Sequence, residues 1–174
     1  GSIEQDQYQY LDNIFDLDDK DAEAIMTPRT EVVAIDLDDD LETNLEIMGT
    51  NKFTRYPVFR EDKDNIIGFV HIKDAYMLPK GSTMKDLRIR TIQVVPESLS
   101  ITKLMQQLQA KHTKIACVVD EHGGTSGIVT MSDVVEQIIG RMEDEYLHDD
   151  QDEILKVREN QYIVDGSLPV DQFV

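Results

Sequence analysis

Two aspartates stand at matching places in this chain, Asp74 after GFVHIK and Asp133 after GIVTMS, each where a helix is expected to begin. A carboxylate there can accept two hydrogen bonds from the adjacent hydroxyls of a sugar, and the amides of a helix start favour an anion. Thr130, at the end of the preceding strand, adds a hydroxyl that can reach the same sugar or a phosphate. Ser132 and Asp133 equally suit a plain helix N-cap, and residue types alone leave both uses open. In the first copy His71 stands for the threonine and Lys73 for Ser132, which favours a capping role for Asp74 over a ligand-binding one.

Charge narrows what such a site can hold. Against 35 acidic residues the chain sets only 17 lysines and arginines, a formal charge of −18. That balance repels phosphodiester backbones and anionic lipid surfaces, so nucleic acid is not an expected partner. A polyphosphate would need local cations or a metal ion arriving with it; Arg29, Arg55 and Lys114 are the candidates, with surface salt bridges as their competing use.

Other chemistry finds little support. Asp62-Lys63-Asp64 and Asp120 to Gly124 lack the oxygen spacing of a calcium loop and read as hairpin turns. The histidines show no zinc-binding spacing. No nucleophile elbow, phosphate-cradling GxxxxGK or cysteine–histidine pair is present, so the chain reads as a binding protein and not an enzyme. The one cysteine, Cys117, lies in the apolar run IACVV and reads as a buried thiol, which fits a reducing, cytoplasmic setting. No apolar run approaches the roughly 20 residues that cross a bilayer.

The two aspartates belong to an internal repeat. RYPVFREDKDNIIGFVHIKDAY at 55–76 aligns with KIACVVDEHGGTSGIVTMSDVV at 114–135, placing Gly68 on Gly127 and Asp74 on Asp133. Upstream, Val32 to Ile35 matches Thr91 to Val94 as an opening strand. Each copy reads strand, helix, strand, strand, helix. In the first, Leu41, Leu45 and Met48 recur at helical spacing behind Asp38-Asp39-Asp40, whose carboxylates suit a helix start. In the second, Ser98 or Ser100 caps a stripe of Ile101, Leu104, Met105 and Leu108, and a closing helix buries Val134, Val135, Ile138 and Met142. Pro79 to Ser82 breaks the chain between copies. A copy of this size buries too little alone, so the α/β (α+β) fold expected is two βαββα repeats packed through their sheets as a pseudo-twofold pair, with a cleft between them.

The divisions that follow are an arm over 1–24 that begins with the tag-like scar Gly1-Ser2, repeats over 25–80 and 91–142 joined by a linker at 81–90, an acidic linker over 143–153, and a strand-turn-strand pattern over 154–174 that suggests the start of a further domain.

With MTPR at 26–29, RYPVF at 55–59, GFVHIKD at 68–74 and GIVTMSD at 127–133, the chain resembles the tandem CBS (cystathionine-β-synthase) domain pair, in particular that of the CorC/HlyC group. YIVDGSLPVDQF at 162–173 is similar to the opening of that group's C-terminal transporter-associated domain. The resemblance implies a cytoplasmic regulatory module, a homodimer, that binds AMP or ATP in the inter-repeat cleft; magnesium is the ion that would arrive with the nucleotide to offset the chain's charge. It also implies attachment to the membrane transport domain of a magnesium or cobalt efflux protein. For the adenine slot the repeat analogy offers Ile92, Ile115 and Ala116 beside Asp133, and Tyr56 and Pro57 beside Asp74, all of which also suit ordinary core. It places Arg29 near the cleft. A protein-interaction scaffold with a vestigial cleft is the alternative, motivated by His71 and Lys73. An acidic divalent-cation sensor is the third, resting on 36–40 and 149–153.

Overall fold

The computed structural model describes residues 20–149. The expected scar, the strand-turn-strand pattern over 154–174 and the acidic stretch beyond Asp149 lie outside them.

A short helix, α1 (Ala22–Ile25), capped by Asp21, leads into β1 (Thr27–Pro28) and a 3-10 turn at Arg29–Glu31. The first repeat is then β2 (Ile35–Asp36), α2 (Leu41–Thr50), β3 (Arg55–Arg60), β4 (Asp62–His71) and α3 (Ile72–Tyr76). After a 3-10 turn at Met84–Asp86 the second follows as β5 (Gln93–Pro96), α4 (Ile101–Ala110), β6 (Ile115–Val119), β7 (Thr125–Thr130) and α5 (Met131–Asp149). The βαββα order expected of each copy is present twice. By its contacts the chain divides into a compact body ending at Val135 and a second beginning at Glu136; the pair of sheets described below belongs to the first.

Local chemistry accounts for the helix starts. Asp40 accepts a hydrogen bond from the Thr43 amide at 2.7 Å, and Ser100 plays the same part for Lys103 at 3.3 Å. These bonds satisfy amides that a helix start otherwise leaves open. The α4 stripe is buried as its spacing requires: Ile101, Leu104 and Leu108 are wholly enclosed, each contributing about 1.5–3 kcal/mol. On α2, Leu41 and Met48 are buried but Leu45 is half exposed; its neighbour Asn44 goes inward instead. The Asn44 side-chain amide donates to the Asp36 carbonyl at 2.8 Å and its oxygen accepts from the Asp36 amide, clasping helix to strand. On α5, Val134 is buried whereas Val135, expected in the core, is exposed.

The opening strands begin later than the sequence suggests. Val32 and Ala34 are buried yet make no strand, because the chain leaves Pro28 in a 3-10 turn and pairing with β3 starts only at Ile35. The free Val32 carbonyl is taken by the Lys63 ammonium, a charge-assisted bond of 2.6 Å.

Two sheets result, in the order β2-β3-β4 and β1-β7-β6-β5. Within each repeat the opening strand runs parallel to its neighbour and the next two form an antiparallel hairpin. The segments preceding each repeat are exchanged. Thr27 and Pro28 pair with Ile128 and Gly127 of the second repeat, while Arg90 bridges Phe69 of the first through two backbone bonds of 2.8 and 2.9 Å. Strand alternation gives each sheet two apolar faces. Tyr56, Val58 and Val70 turn into the first repeat's own core with Ile35, Leu41 and Met48. Phe69 turns the other way, into a core shared with Ile92, Ile115, Cys117 and Ile128 of the second repeat. The shared core is the expected packing of the repeats through their sheets. Cys117 is enclosed there, and burial pushes its thiol above the usual range.

Candidate functional site

A cavity of about 180 Å³ opens between the two repeats. Its polar end is the start of α5. The Thr130 amide donates to Asp133 Oδ2 at 2.9 Å, and the Asp133 amide donates to Thr130 Oγ1 at 3.2 Å. This reciprocal capping box makes Thr130, and not Ser132, the N-cap. It also fixes the carboxylate at the cavity wall while using one of its oxygens; among the described residues Oδ1 carries no hydrogen bond. Capping and ligand binding are therefore compatible at this aspartate.

The apolar wall comes from Val32 and Val33 before the first repeat, Pro57 on β3, and Ile115 and Ile128 on the second-repeat sheet. Phe53 closes one side. Its backbone amide donates to the Tyr56 hydroxyl at 2.9 Å and its ring meets the Tyr56 ring edge-on at 5.9 Å, so a buried tyrosine positions an exposed phenylalanine. Arg55 supplies positive charge to the lining, opposite the acids Glu31 and Asp133. Burial, and then the nearby Arg90, lower the Arg55 guanidinium from its ordinary value, since both disfavour a further cation there.

The expected site residues separate into two groups. Thr130, Asp133 and Ile115 meet in the cavity, joined by Pro57 and Arg55. Ile92 and Ala116 are buried in the core, and Tyr56 is wholly enclosed within the first repeat, its one hydroxyl proton within reach of the backbone carbonyls of Asn51 at 3.0 Å and Met48 at 3.2 Å. Arg29 turns to Asp64, 3.2 Å away on β4, and takes no part in the lining. Asp74 accepts from Arg90 Nε at 3.0 Å, and that contact holds its carboxyl below the usual range. The cavity wall is thus built crosswise: Asp133 of the second repeat faces Phe53, Arg55 and Pro57 of the first. Thr27, Glu31, Val32, Val33, Phe53 and Ile128 complete the wall beyond the residues singled out by sequence. MTPR contained Thr27, and an aromatic in the polar stretch Asn51-Lys52-Phe53-Thr54 was a usable signal for Phe53.

Among the described residues no group of three His, Cys, Asp or Glu side chains could hold a metal ion, and no helix is long and apolar enough to cross a membrane. Of the acids at 36–40, two serve the backbone: Asp36 accepts from the Asp38 amide and Asp40 caps α2.

Two βαββα repeats with exchanged leading segments, packed through their sheets around an apolar cavity with a carboxylate at a helix start, define a tandem repeat pair. The CBS domain model matches residues 22–78 and 84–140. The UPF0053 protein YrkA of Bacillus subtilis (strain 168) is 40% identical over 178 residues, spanning 98% of this chain but only 41% of that relative. The chain is thus under half the length of such relatives. The CBS domain of the bacterial CNNM/CorC family Mg2+ transporter in complex with ATP is 33% identical with a TM-score of 0.68, covering 79% of this chain and 98% of that one. A CBS-domain pair with bound AMP from Klebsiella pneumoniae is 28% identical with a TM-score of 0.63, covering 69% and 98%. This chain belongs to the CBS domain family, as a tandem pair of the CNNM/CorC kind.

Proposed function

We propose that the chain is a regulatory module that binds an adenine nucleotide, AMP or ATP, in the cavity between its repeats, and controls a membrane domain of its parent protein that exports magnesium or cobalt. The observation that carries this reading is the juxtaposition of Asp133, its Thr130 cap and Arg55 around one apolar cavity. Asp133 accepts the ribose hydroxyls, Thr130 Oγ1 reaches the sugar or phosphate, and the base lies against Ile115, Ile128 and Pro57. At 180 Å³ the cavity is smaller than the roughly 300 Å³ of a full ligand site, so base and sugar enter while phosphates remain at its mouth. There they offset the charge on Arg55. Magnesium accompanying a triphosphate eases its approach to a chain of charge −18. ATP and AMP in the related pairs support the ligand class. The module lies on the cytoplasmic side of the membrane and works as a homodimer, which light scattering on the purified chain checks. Control of transport requires that the nucleotide bind one arrangement of the repeats or protomers more tightly than another.

Calorimetric titration with AMP, ATP and magnesium–ATP tests the reading. Asp133→Ala should weaken binding at least tenfold, about 1.4 kcal/mol. Asp133→Asn, which keeps an acceptor for the Thr130 amide, separates loss of the ligand contact from loss of the cap. Unchanged affinity in both variants removes the assignment.

A further inference from the structure

Basic side chains gather at one place on the first repeat of a chain whose formal charge is −18. Strands β3 and β4 set Arg55 opposite His71, and Arg90 bridges Phe69, two residues earlier on β4. Residues two apart on a strand share a face, and so do register partners. Arg55, His71 and Arg90 therefore lie on the face that Phe69 turns toward the second repeat. Lys73 follows at the start of α3. Against them stands Asp74, which accepts from Arg90 Nε at 3.0 Å. Among the described residues the terminal nitrogens of Arg90 and the whole Arg55 guanidinium carry no hydrogen bond or ion pair.

We propose that Arg90, His71 and Arg55 form a seat for a phosphate group on the first repeat, beside the nucleotide cavity and shared with it only through Arg55, the one of the three that lines the cavity. Each has a donor to give. Arg90 spends Nε on Asp74, which fixes the guanidinium and leaves its two terminal nitrogens as a fork of the kind that takes two phosphate oxygens. His71 Nδ1 accepts from the Lys73 amide at 3.2 Å, so the neutral ring carries its proton on Nε2, which is a further donor. The Arg90 side chain is 28% exposed, enough for an anion to reach it. The cations also disfavour one another. Burial, then Arg55, Lys73 and Arg90, lower the affinity of His71 for a proton, with Asp74 opposing, and burial and then Arg90 lower Arg55. A bound dianion relieves that repulsion. Asp74 acts against the anion, but it occupies the Nε edge of Arg90 and is outnumbered by Arg55, Arg90, Lys73 and the nearby Arg88. The phosphate comes from the outer end of a nucleotide held in the cavity or from a free anion; the chemistry at the seat is the same.

The His71 imidazole reports on the seat. Its titration is followed by NMR on the 174-residue chain in sodium phosphate and in sodium chloride of equal ionic strength, with His71→Asn to assign the signal and thermal melting to confirm that each variant folds. The expected result is a midpoint raised in phosphate by about half a pH unit or more, because a neighbouring anion favours the imidazolium. Arg90→Gln, which keeps a donor for Asp74, should remove the rise, and Asp133→Asn should leave it in place. AMP and ATP added in chloride separate the sources. A rise with ATP but not AMP, lost in Asp133→Asn, means that the outer phosphates of a cavity-bound nucleotide fill the seat; a rise with inorganic phosphate alone means a separate anion. A midpoint that is the same in chloride, phosphate, AMP and ATP would overturn the proposal, as would a rise undiminished by Arg90→Gln. Calorimetric failure of AMP and ATP to bind, with the phosphate-induced rise intact, would remove the nucleotide reading and leave the seat standing.

Discussion

The backbone carbonyl of Arg90 lies 2.6 Å from the point where a Cβ on Gly68 would stand. Gly127, its counterpart, faces the carbonyl of Thr27 in the same way, more closely still. Both glycines exist because the exchanged segments run against the middle of the opposing hairpin, and a backbone oxygen cannot step aside as a flexible side chain would. Gly68→Ala and Gly127→Ala should each destabilise the fold by about 1–3 kcal/mol, with Gly127→Ala the worse because its opposing carbonyl is the closer; a side chain, Ile89 at Gly68 and Met26 at Gly127, crowds both. Urea unfolding of the two variants checks this. Gly140→Ala, where nothing lies within 4 Å of the added carbon, is the control and should be neutral or slightly stabilising. Equal stability of all three would mean that the exchanged strands are not packed this tightly.

Tyr56 is a buried side chain with a surface consequence. Its hydroxyl donates toward the Asn51 carbonyl at 3.0 Å and accepts from the Phe53 amide at 2.9 Å, tying the loop before β3 to the first-repeat core. Tyr56→Phe keeps the packing and removes every hydrogen bond of that hydroxyl, including its contact with the Met48 carbonyl, leaving a partly buried amide without its acceptor. The expected cost is about 1–3 kcal/mol in urea unfolding. Because Phe53 forms part of the cavity wall, its NMR-detected environment should change more than that of Val58, which lies deep in the first-repeat core. A variant as stable as the parent, with Phe53 unmoved, would count against this anchoring role.

How much of this was legible in the residues follows from the range of the interactions involved. Helix stripes, caps and the repeat register are local or periodic, so Ile101, Leu104 and Leu108, the Ser100 cap and the Gly68–Gly127 correspondence could be read directly. Hydrophobic period did not reveal Asn44, because its burial is secured by hydrogen bonds to Asp36 and not by apolar character. The cavity wall was harder. A repeat shows which residues are equivalent, but not which repeat faces which carboxylate; strand exchange decides that, and it brings Pro57 to Asp133 instead of Asp74. Arg90 lay in a stretch that reads as linker, so its hold on Asp74 had no local signature at all.

His71 should give the fold a dependence on pH of definite sign. Its Nδ1 accepts from the Lys73 amide and caps α3, which requires that nitrogen to be unprotonated. Burial lowers its affinity for a proton, and so do Arg55, its register partner on β3, Lys73 and Arg90; Asp74 opposes them more weakly. The folded chain therefore binds the proton less readily than the unfolded chain, whose histidine titrates near 6.5. Stability is complete above about pH 6.5 and is lost as pH falls through the lowered folded value, since in that window the unfolded state takes up more protons. His71→Asn supplies a side-chain oxygen able to cap α3 without titrating. Urea midpoints measured from pH 8 to pH 5 should fall more steeply for the parent than for His71→Asn, every other residue being common to both. Parallel curves, or an imidazole that titrates above 6.5 by NMR, would show that the cationic surroundings do not govern this histidine.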